Sequence, residues 1–117
     1  MEYHRHMQTM RDRLEAGIGE RFAQIRFNGH PQKRLPNTLS ASFRGMKANI
    51  ILETLEGVYA SAGAACHSDH VEVSSVLKAM QVPLEYAMGT LRFSVGRYTT
   101  EQEIDRALVE ITRAVRQ

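Results

Sequence analysis

Residues 90–95 read Thr90-Leu91-Arg92-Phe93-Ser94-Val95 and alternate strictly between polar and apolar side chains. This period of two is typical of a β-strand that packs one face on a core and turns the other to solvent. Leu91, Phe93 and Val95 share the core-facing side, so Arg92 and Ser94 must point the other way. Because antiparallel sheets commonly leave one face in water, the stretch predicts an amphipathic strand in such a sheet.

The rest of the chain supplies the partners for this strand. Similar patterns predict three more strands, at residues 23–27, 38–43 and 58–60. Apolar residues three and four positions apart predict helices over residues 2–18, 47–55, 73–80 and 84–88, and a last helix from the Thr100 cap to the C-terminus. Gly17 and Gly19 are expected to end the first helix, and Thr100 with Glu103 forms a capping box at the start of the last. The sequence therefore predicts one α+β domain spanning residues 1–117, with two layers: a small, largely antiparallel four-stranded sheet covered by helices.

Composition narrows the functional classes. The chain has 117 residues, 43% of them hydrophobic and 24% charged, which is enough apolar material for one folded core. Its net charge of +2 comes from dispersed lysines and arginines, so we expect no nucleic-acid partner. The sequence contains no apolar run of membrane-spanning length and no signal-peptide pattern, so we expect no membrane association. A single cysteine excludes an internal disulfide framework and favours a cytoplasmic protein.

That cysteine, Cys66, follows a run of small residues and precedes ionisable ones. Residues 61–70 are expected to form a flexible loop, because alanine, glycine and serine have too little volume to anchor it. Protonated imidazoles nearby would favour the thiolate, the form of cysteine that attacks electrophiles. Two alternatives stay open at this point: a small buried apolar residue, or a metal ligand. The ligands of such a metal would come from Cys66, His67, Asp69 and His70.

Arg92 is the second candidate site residue. Only arginine offers paired N–H donors in a rigid fork, which matches a carboxylate or a phosphate. An ordinary solvent-facing charge on a strand is the alternative interpretation. If the Cys66 segment lies over the polar side of this strand, the thiol and the guanidinium would face the same small substrate.

Two motifs resemble those of a known family. Residues 61–66, Ser-Ala-Gly-Ala-Ala-Cys, resemble the catalytic-cysteine loop of the cysteine desulfurases. Residues 91–105 resemble the segment that follows this loop in the same enzymes. These are class V, fold-type I enzymes that depend on pyridoxal phosphate. Residues 63–70, together with residues 34–38, are most similar to the selenocysteine lyase branch.

The resemblance assigns roles to both candidate residues. It implies that Cys66 takes sulfur from cysteine, or selenium from selenocysteine, and that alanine is left. It implies that Arg92 binds the substrate carboxylate. It also implies that the chain corresponds to the small C-terminal domain, which in the family packs on a large domain that binds pyridoxal phosphate.

The chain departs from the family in the cofactor site. Lys33, Lys47 and Lys78 match no cofactor-lysine motif, so we expect no cofactor site in this chain alone and no activity without a large domain or a split partner chain that carries it. A cofactor-free carrier is a second hypothesis, in which Cys66 accepts a persulfide or selenium and passes it to an acceptor protein. A structural interaction module that forms a homo-oligomer is a third.

Overall fold

A computed structural model of the chain describes residues 2–28, 35–55, 60–62, 64–67, 70–73 and 81–115. Four helices and six strands lie within these ranges. The helices are α1 (Glu2–Arg21), α2 (Ala48–Thr54), α3 (Leu84–Ala87) and α4 (Glu101–Val115). The strands are β1 (Ile25–Asn28), β2 (Thr38–Phe43), β3 (Ala60–Ala62), β4 (Ala64–His67), β5 (His70–Val73) and β6 (Thr90–Ser94).

Four of the strands form one sheet in the order β1-β2-β6-β3, and every neighbouring pair is antiparallel. Its centre is the β2–β6 pair, in which Leu39 lies opposite Phe93 and Ala41 opposite Leu91. β4 and β5 form a separate antiparallel pair, with Cys66 opposite Val71. The α+β class and the four-stranded antiparallel sheet predicted from the sequence are confirmed.

The core lies between one face of this sheet and the helices. Leu39, Ala41 and Phe43 of β2 are buried there, as the alternation predicts for residues that share one side of a strand. Leu91 and Phe93 of β6 are buried beside them. Each covering helix adds a stripe of apolar side chains to the same cluster: Met10, Leu14 and Ile18 from α1, Ala48 and Ile51 from α2, and Ile104, Leu108, Ile111 and Ala114 from α4.

Local sequence signals fix several element ends. The predicted capping box opens α4: the Glu103 backbone N–H donates to Thr100 Oγ1 at 3.2 Å, and the Thr100 N–H donates to Glu103 Oε1 at 3.1 Å. β2 ends in a turn at Gly45, whose φ of +75° lies in the left-handed region that favours glycine. Pro83 precedes α3, as its fixed φ predicts for the first turn of a helix.

The first helix is longer than predicted. Gly17 and Gly19 do not end it, since α1 continues to Arg21. Gly17 lies instead where α1 meets α4, and an added Cβ there would overlap the end of the Leu108 side chain. The glycine therefore permits a close helix–helix approach. Arg11, which the pattern places on the exposed charged face, is only 5% exposed and donates to the Leu35 carbonyl at 3.0 Å.

The loop predicted at residues 61–70 is wrong, whereas its flexibility stays a prediction. Ser61 and Ala62 belong to β3, and β4 and the start of β5 lie within the same range. Small residues hide strands from a pattern search, because they show no apolar–polar alternation. Val73 ends β5 and so does not begin a helix.

Other predicted boundaries shift or cannot be compared. β1 runs over Ile25–Asn28 instead of residues 23–27, and α2 is one residue shorter at each end than predicted. The start of the predicted strand at 58–60 and residues 74–80 of the predicted helix lie outside the described residues.

Candidate functional site

The face of the sheet opposite the core is polar on every strand. We call it the polar face. Alternation places on it Arg26, Asn28, Thr38, Ser40, Ser42, Ser61, Thr90, Arg92 and Ser94. The four strands of this sheet contribute no acidic side chain to it. The face therefore carries hydroxyls, one amide and two guanidinium groups, a set suited to an anionic ligand.

Arg92 occupies the middle of this face. It lies on β6, with Ser40 of β2 directly opposite on one side and Ser61 of β3 directly opposite on the other. Its side chain is exposed, as predicted. No hydrogen bond or ion pair joins its side chain to another described residue. An exposed, unpaired guanidinium beside two hydroxyls is available to a carboxylate or phosphate.

One end of the polar face is closed. Ser42 and Thr90 are fully buried there, and their hydroxyl oxygens are 2.6 Å apart. The Thr90 hydroxyl also donates to the carbonyl of Tyr86, in α3, at 3.4 Å. Asn28 completes the group from β1, and its amide nitrogen donates to the Ser42 hydroxyl oxygen at 2.8 Å. The group fixes three strands to the α3 segment, so the open part of the face is the part around Arg92.

The sequence patterns do not predict the hydrogen-bonded group of Asn28, Ser42 and Thr90. In the sequence Asn28-Gly29 is a typical turn pair, and the two hydroxyl residues read as solvent-facing positions of their strands. In the structure Asn28 is the last residue of β1 and only 7% exposed. The signal that could reveal the group is the cross-strand register, which sequence periodicity alone does not give.

Cys66 lies on β4, five residues after Ser61. Five residues span at most about 18 Å when fully extended, which bounds the distance between their Cα atoms. The structure thus pairs Arg92 with the strand that leads into the Cys66 segment. The Cys66 side chain lies outside the described residues, so the facing arrangement of thiol and guanidinium stays a prediction.

The structure describes only part of the alternative metal site, whose ligands would come from residues 66–70. His67 and His70 are cross-strand partners at the ends of β4 and β5. Asp69 and the side chains of both histidines lie outside the described residues. Within the part of the chain that the structure describes, no group of three potential ligands comes together.

Comparison with known proteins connects this architecture to a family. The family model for aminotransferase class V matches residues 1–107. This chain belongs to the aminotransferase class-V family. The assignment agrees with the resemblance carried by the two sequence motifs around Cys66 and Arg92.

The relatives are desulfurases and a lyase. The chain is 44% identical over 111 residues to "Cysteine desulfurase NifS" from Azotobacter vinelandii, covering 93% of this chain and 28% of that protein. It is 40% identical over 122 residues to "Selenocysteine lyase" from Homo sapiens, covering 98% of this chain and 27% of that protein. A solved structure of a "NifS-like protein" superposes with a TM-score of 0.81 at 29% identity, covering 98% of this chain and 28% of that chain. The chain therefore spans little more than a quarter of the length of its relatives.

Class-V membership implies pyridoxal phosphate in full-length proteins, and the described residues do not fit that cofactor. The described lysine, Lys47, is exposed and lies just before the seven-residue helix α2. The polar face contains no lysine among its described strands. A site for the cofactor needs a lysine held against it. These residues therefore provide groups that can act on a substrate and do not provide a cofactor site.

The helices were also compared with what a lipid bilayer requires. Among the described residues, none of the helices combines the length and the apolar character needed to cross it.

Proposed function

We propose that this chain is the small-domain part of a cysteine desulfurase or selenocysteine lyase. In this proposal Cys66 is the nucleophile and Arg92 binds the substrate carboxylate. The large domain that completes the enzyme, whether on a longer form of this chain or on a partner chain, lies outside these residues. The chain alone is then inactive.

The observation that carries the proposal is the position of Arg92 in a chain that desulfurase relatives cover almost completely. Its guanidinium is exposed, has no partner among the described residues, and lies on a face without acidic strand residues. It is joined through the β3–β6 pairing to the segment that bears the single cysteine. A substrate held by its carboxylate at Arg92 would be oriented by two parallel hydrogen bonds.

The proposed transfer balances within the two reactants. The Cys66 thiolate forms an S–S bond to the substrate sulfur while the substrate's Cβ–S bond breaks. The electron pair of the broken bond stays with Cβ, which gains a proton, so the products are a Cys66 persulfide and alanine. With selenocysteine as substrate, selenium is removed in place of sulfur and alanine is again left.

A chimera tests this proposal. Residues 1–117 replace the matching segment of the Azotobacter vinelandii desulfurase, and alanine release from cysteine and from selenocysteine is measured. We expect activity in the chimera and a loss of at least about 100-fold with cysteine in Cys66→Ser, because the nucleophile is removed. Arg92→Lys should lower kcat/KM roughly 10- to 100-fold, since it keeps the charge and loses the fork.

Arg44→Lys is the matched control. Arg44 is exposed, lies beyond the end of β2 and pairs with Glu85 at 3.0 Å, so its replacement should leave the rate unchanged. Full desulfurase activity in Cys66→Ser would contradict the proposal. A chimera that binds the cofactor and makes no alanine, together with transfer of labelled sulfur from an active desulfurase to Cys66 of the isolated chain, would indicate the carrier function instead.

A further inference from the structure

Ser40 and Ser61, the two serines beside Arg92, have hydrogen-bonding capacity that no described residue uses. A carboxylate has about four lone-pair sites, and an arginine fork satisfies two of them. The remaining sites need other donors. Residues directly opposite each other on antiparallel strands have Cβ atoms about 4.5–5.5 Å apart on the same face. Ser40 and Ser61 stand in this relation to Arg92.

The Asn28 side chain on the neighbouring strand orients the Ser40 hydroxyl. Asn28 lies opposite Ser40 on β1, and its amide nitrogen donates to Ser40 Oγ at 3.2 Å. A serine hydroxyl has one proton and two lone pairs, so accepting from Asn28 leaves the proton free to be donated. Within the described residues Ser40 donates it to no partner.

Asn28 is itself held rigidly. It is only 7% exposed, and the same amide nitrogen also donates to the buried Ser42 hydroxyl at 2.8 Å. Its Oδ1 is buried and has no hydrogen-bond partner among the described residues. An unpaired buried acceptor lowers stability, so its presence calls for an explanation. A role of Asn28 in a functional site would provide one.

Ser61 is the counterpart on the other side. It is exposed on the edge strand β3, and no described residue bonds to its hydroxyl. Asn28, Ser40, Arg92 and Ser61 thus form one straight row across all four strands. We call it the anchor row.

We propose that the anchor row is a complete carboxylate subsite for a small amino acid. In it Ser40 and Ser61 donate to the carboxylate that Arg92 holds, and Asn28 is a positioning residue that aims the Ser40 hydroxyl. The proposal rests on the carboxylate-binding role of Arg92 in the proposed function. It adds three residues to that role and predicts that the 117-residue chain binds the carboxylate without the cofactor domain.

The test is a titration of the isotope-labelled chain with L-alanine. NMR monitors the chemical shifts of the Arg92 side-chain N–H and of the Ser40 and Ser61 backbone amides. We expect saturable shifts in the millimolar range and none with L-alanine amide, which lacks the carboxylate. Ser40→Ala and Ser61→Ala should each raise Kd roughly 3- to 10-fold, the equivalent of one hydrogen bond.

Ser94→Ala is the matched control. It removes an exposed hydroxyl from the same strand as Arg92, two residues away and outside the anchor row, and should leave Kd unchanged. Ser40→Thr is the rescue variant, which retains a hydroxyl and should bind more tightly than Ser40→Ala.

The role of Asn28 is tested by a double-mutant cycle. Asn28→Ala should raise Kd in the unaltered chain and have no further effect in the Ser40→Ala background. A purely structural role would raise Kd equally in both backgrounds, and that result would overturn the positioning role.

The remaining outcomes separate this inference from the proposed function. Absence of saturable shifts in the unaltered chain would overturn the claim of a complete subsite. Loss of binding in Arg92→Lys with normal binding in both serine variants would overturn the role of the serines and leave the role of Arg92 intact. Normal binding in Arg92→Lys would contradict the proposed function itself.

Discussion

The two faces of the four-stranded sheet use the same strands for opposite purposes. The core face is apolar, and three helices cover it. On the polar face, Ser42 and Thr90 are buried and hydrogen-bonded to each other at one end, while Arg92 is exposed at the centre and has no partner in the described part of the chain. Stability is therefore expected to depend on the first face and ligand binding on the open part of the second. Four substitutions test this division.

The largest effect should come from Phe93→Ala on the core face. Phe93 is buried in the central strand, and loss of a buried phenylalanine side chain costs about 3–5 kcal/mol through lost burial and the cavity left behind. The side chain of the neighbouring Ser94 is exposed, so Ser94→Ala should change the free energy of unfolding by less than about 0.5 kcal/mol. Urea unfolding followed by circular dichroism measures both, and equal effects would refute the division.

The helix layer provides the second test. Gly17→Ala places a methyl group against Leu108, whereas at Gly19 the nearest atom, on Phe27, is 3.7 Å from an added Cβ. Both changes gain the same helix propensity, so their difference isolates overpacking. We expect Gly17→Ala to be less stable than Gly19→Ala by about 1–3 kcal/mol. Leu108→Ala should remove most of this difference, and equal stability of the two alanine variants would show that the helices can move apart freely.

The closed end of the polar face should give a smaller effect. Thr90→Val keeps the side-chain shape and removes the hydroxyl that bonds to Ser42 and to the Tyr86 carbonyl. We expect a loss of about 1–2 kcal/mol, because buried polar partners are left unpaired. Thr38→Val is the control, since Thr38 is half-buried on the same face and its hydroxyl makes only a 3.4 Å contact with Asn37. A control that costs as much as Thr90→Val would contradict the interpretation.

Arg92→Ala should have the smallest effect on stability. The side chain is exposed and makes no ion pair with any residue that the structure describes, so the free energy of unfolding should change by less than about 0.5 kcal/mol. The same variant should lose L-alanine binding in the NMR titration. A loss of stability above about 1 kcal/mol would mean that Arg92 supports the fold and is not reserved for a ligand.

The sequence predicts elements well where burial follows a simple period. β2 matches its predicted range and β6 differs by one residue, because each turns one face to the core and the other away from it. The capping box predicts the start of α4 for a similar reason, since Thr100 and Glu103 satisfy each other's backbone groups locally. Arg92 could be placed on the polar face by the same alternation.

Features that depend on a distant part of the chain could not be predicted. Gly17 resembles a helix stop until Leu108 is seen against it, 91 positions further along the chain. The burial of Arg11 depends on the Leu35 carbonyl, and that of Ser42 depends on Thr90 and Asn28. β3 and β4 consist mostly of small residues that give little apolar–polar contrast, so composition favours a loop there.

The pairing of β3 with β6 also fixes the number of residues between the position opposite Arg92 and Cys66. Ser61 is opposite Arg92, and Cys66 always follows five positions later. Strand residues alternate between the two faces of the sheet. Removal of one residue from β3 would therefore bring an alanine opposite Arg92. An insertion after Ala62 would leave Ser61 opposite Arg92 and lengthen only the path to the Cys66 thiol. The segment is thus a spacer whose length can be engineered separately from the anchor. In the chimera, variants with one or two added residues would measure how far Cys66 can be displaced before the proposed sulfur transfer stops.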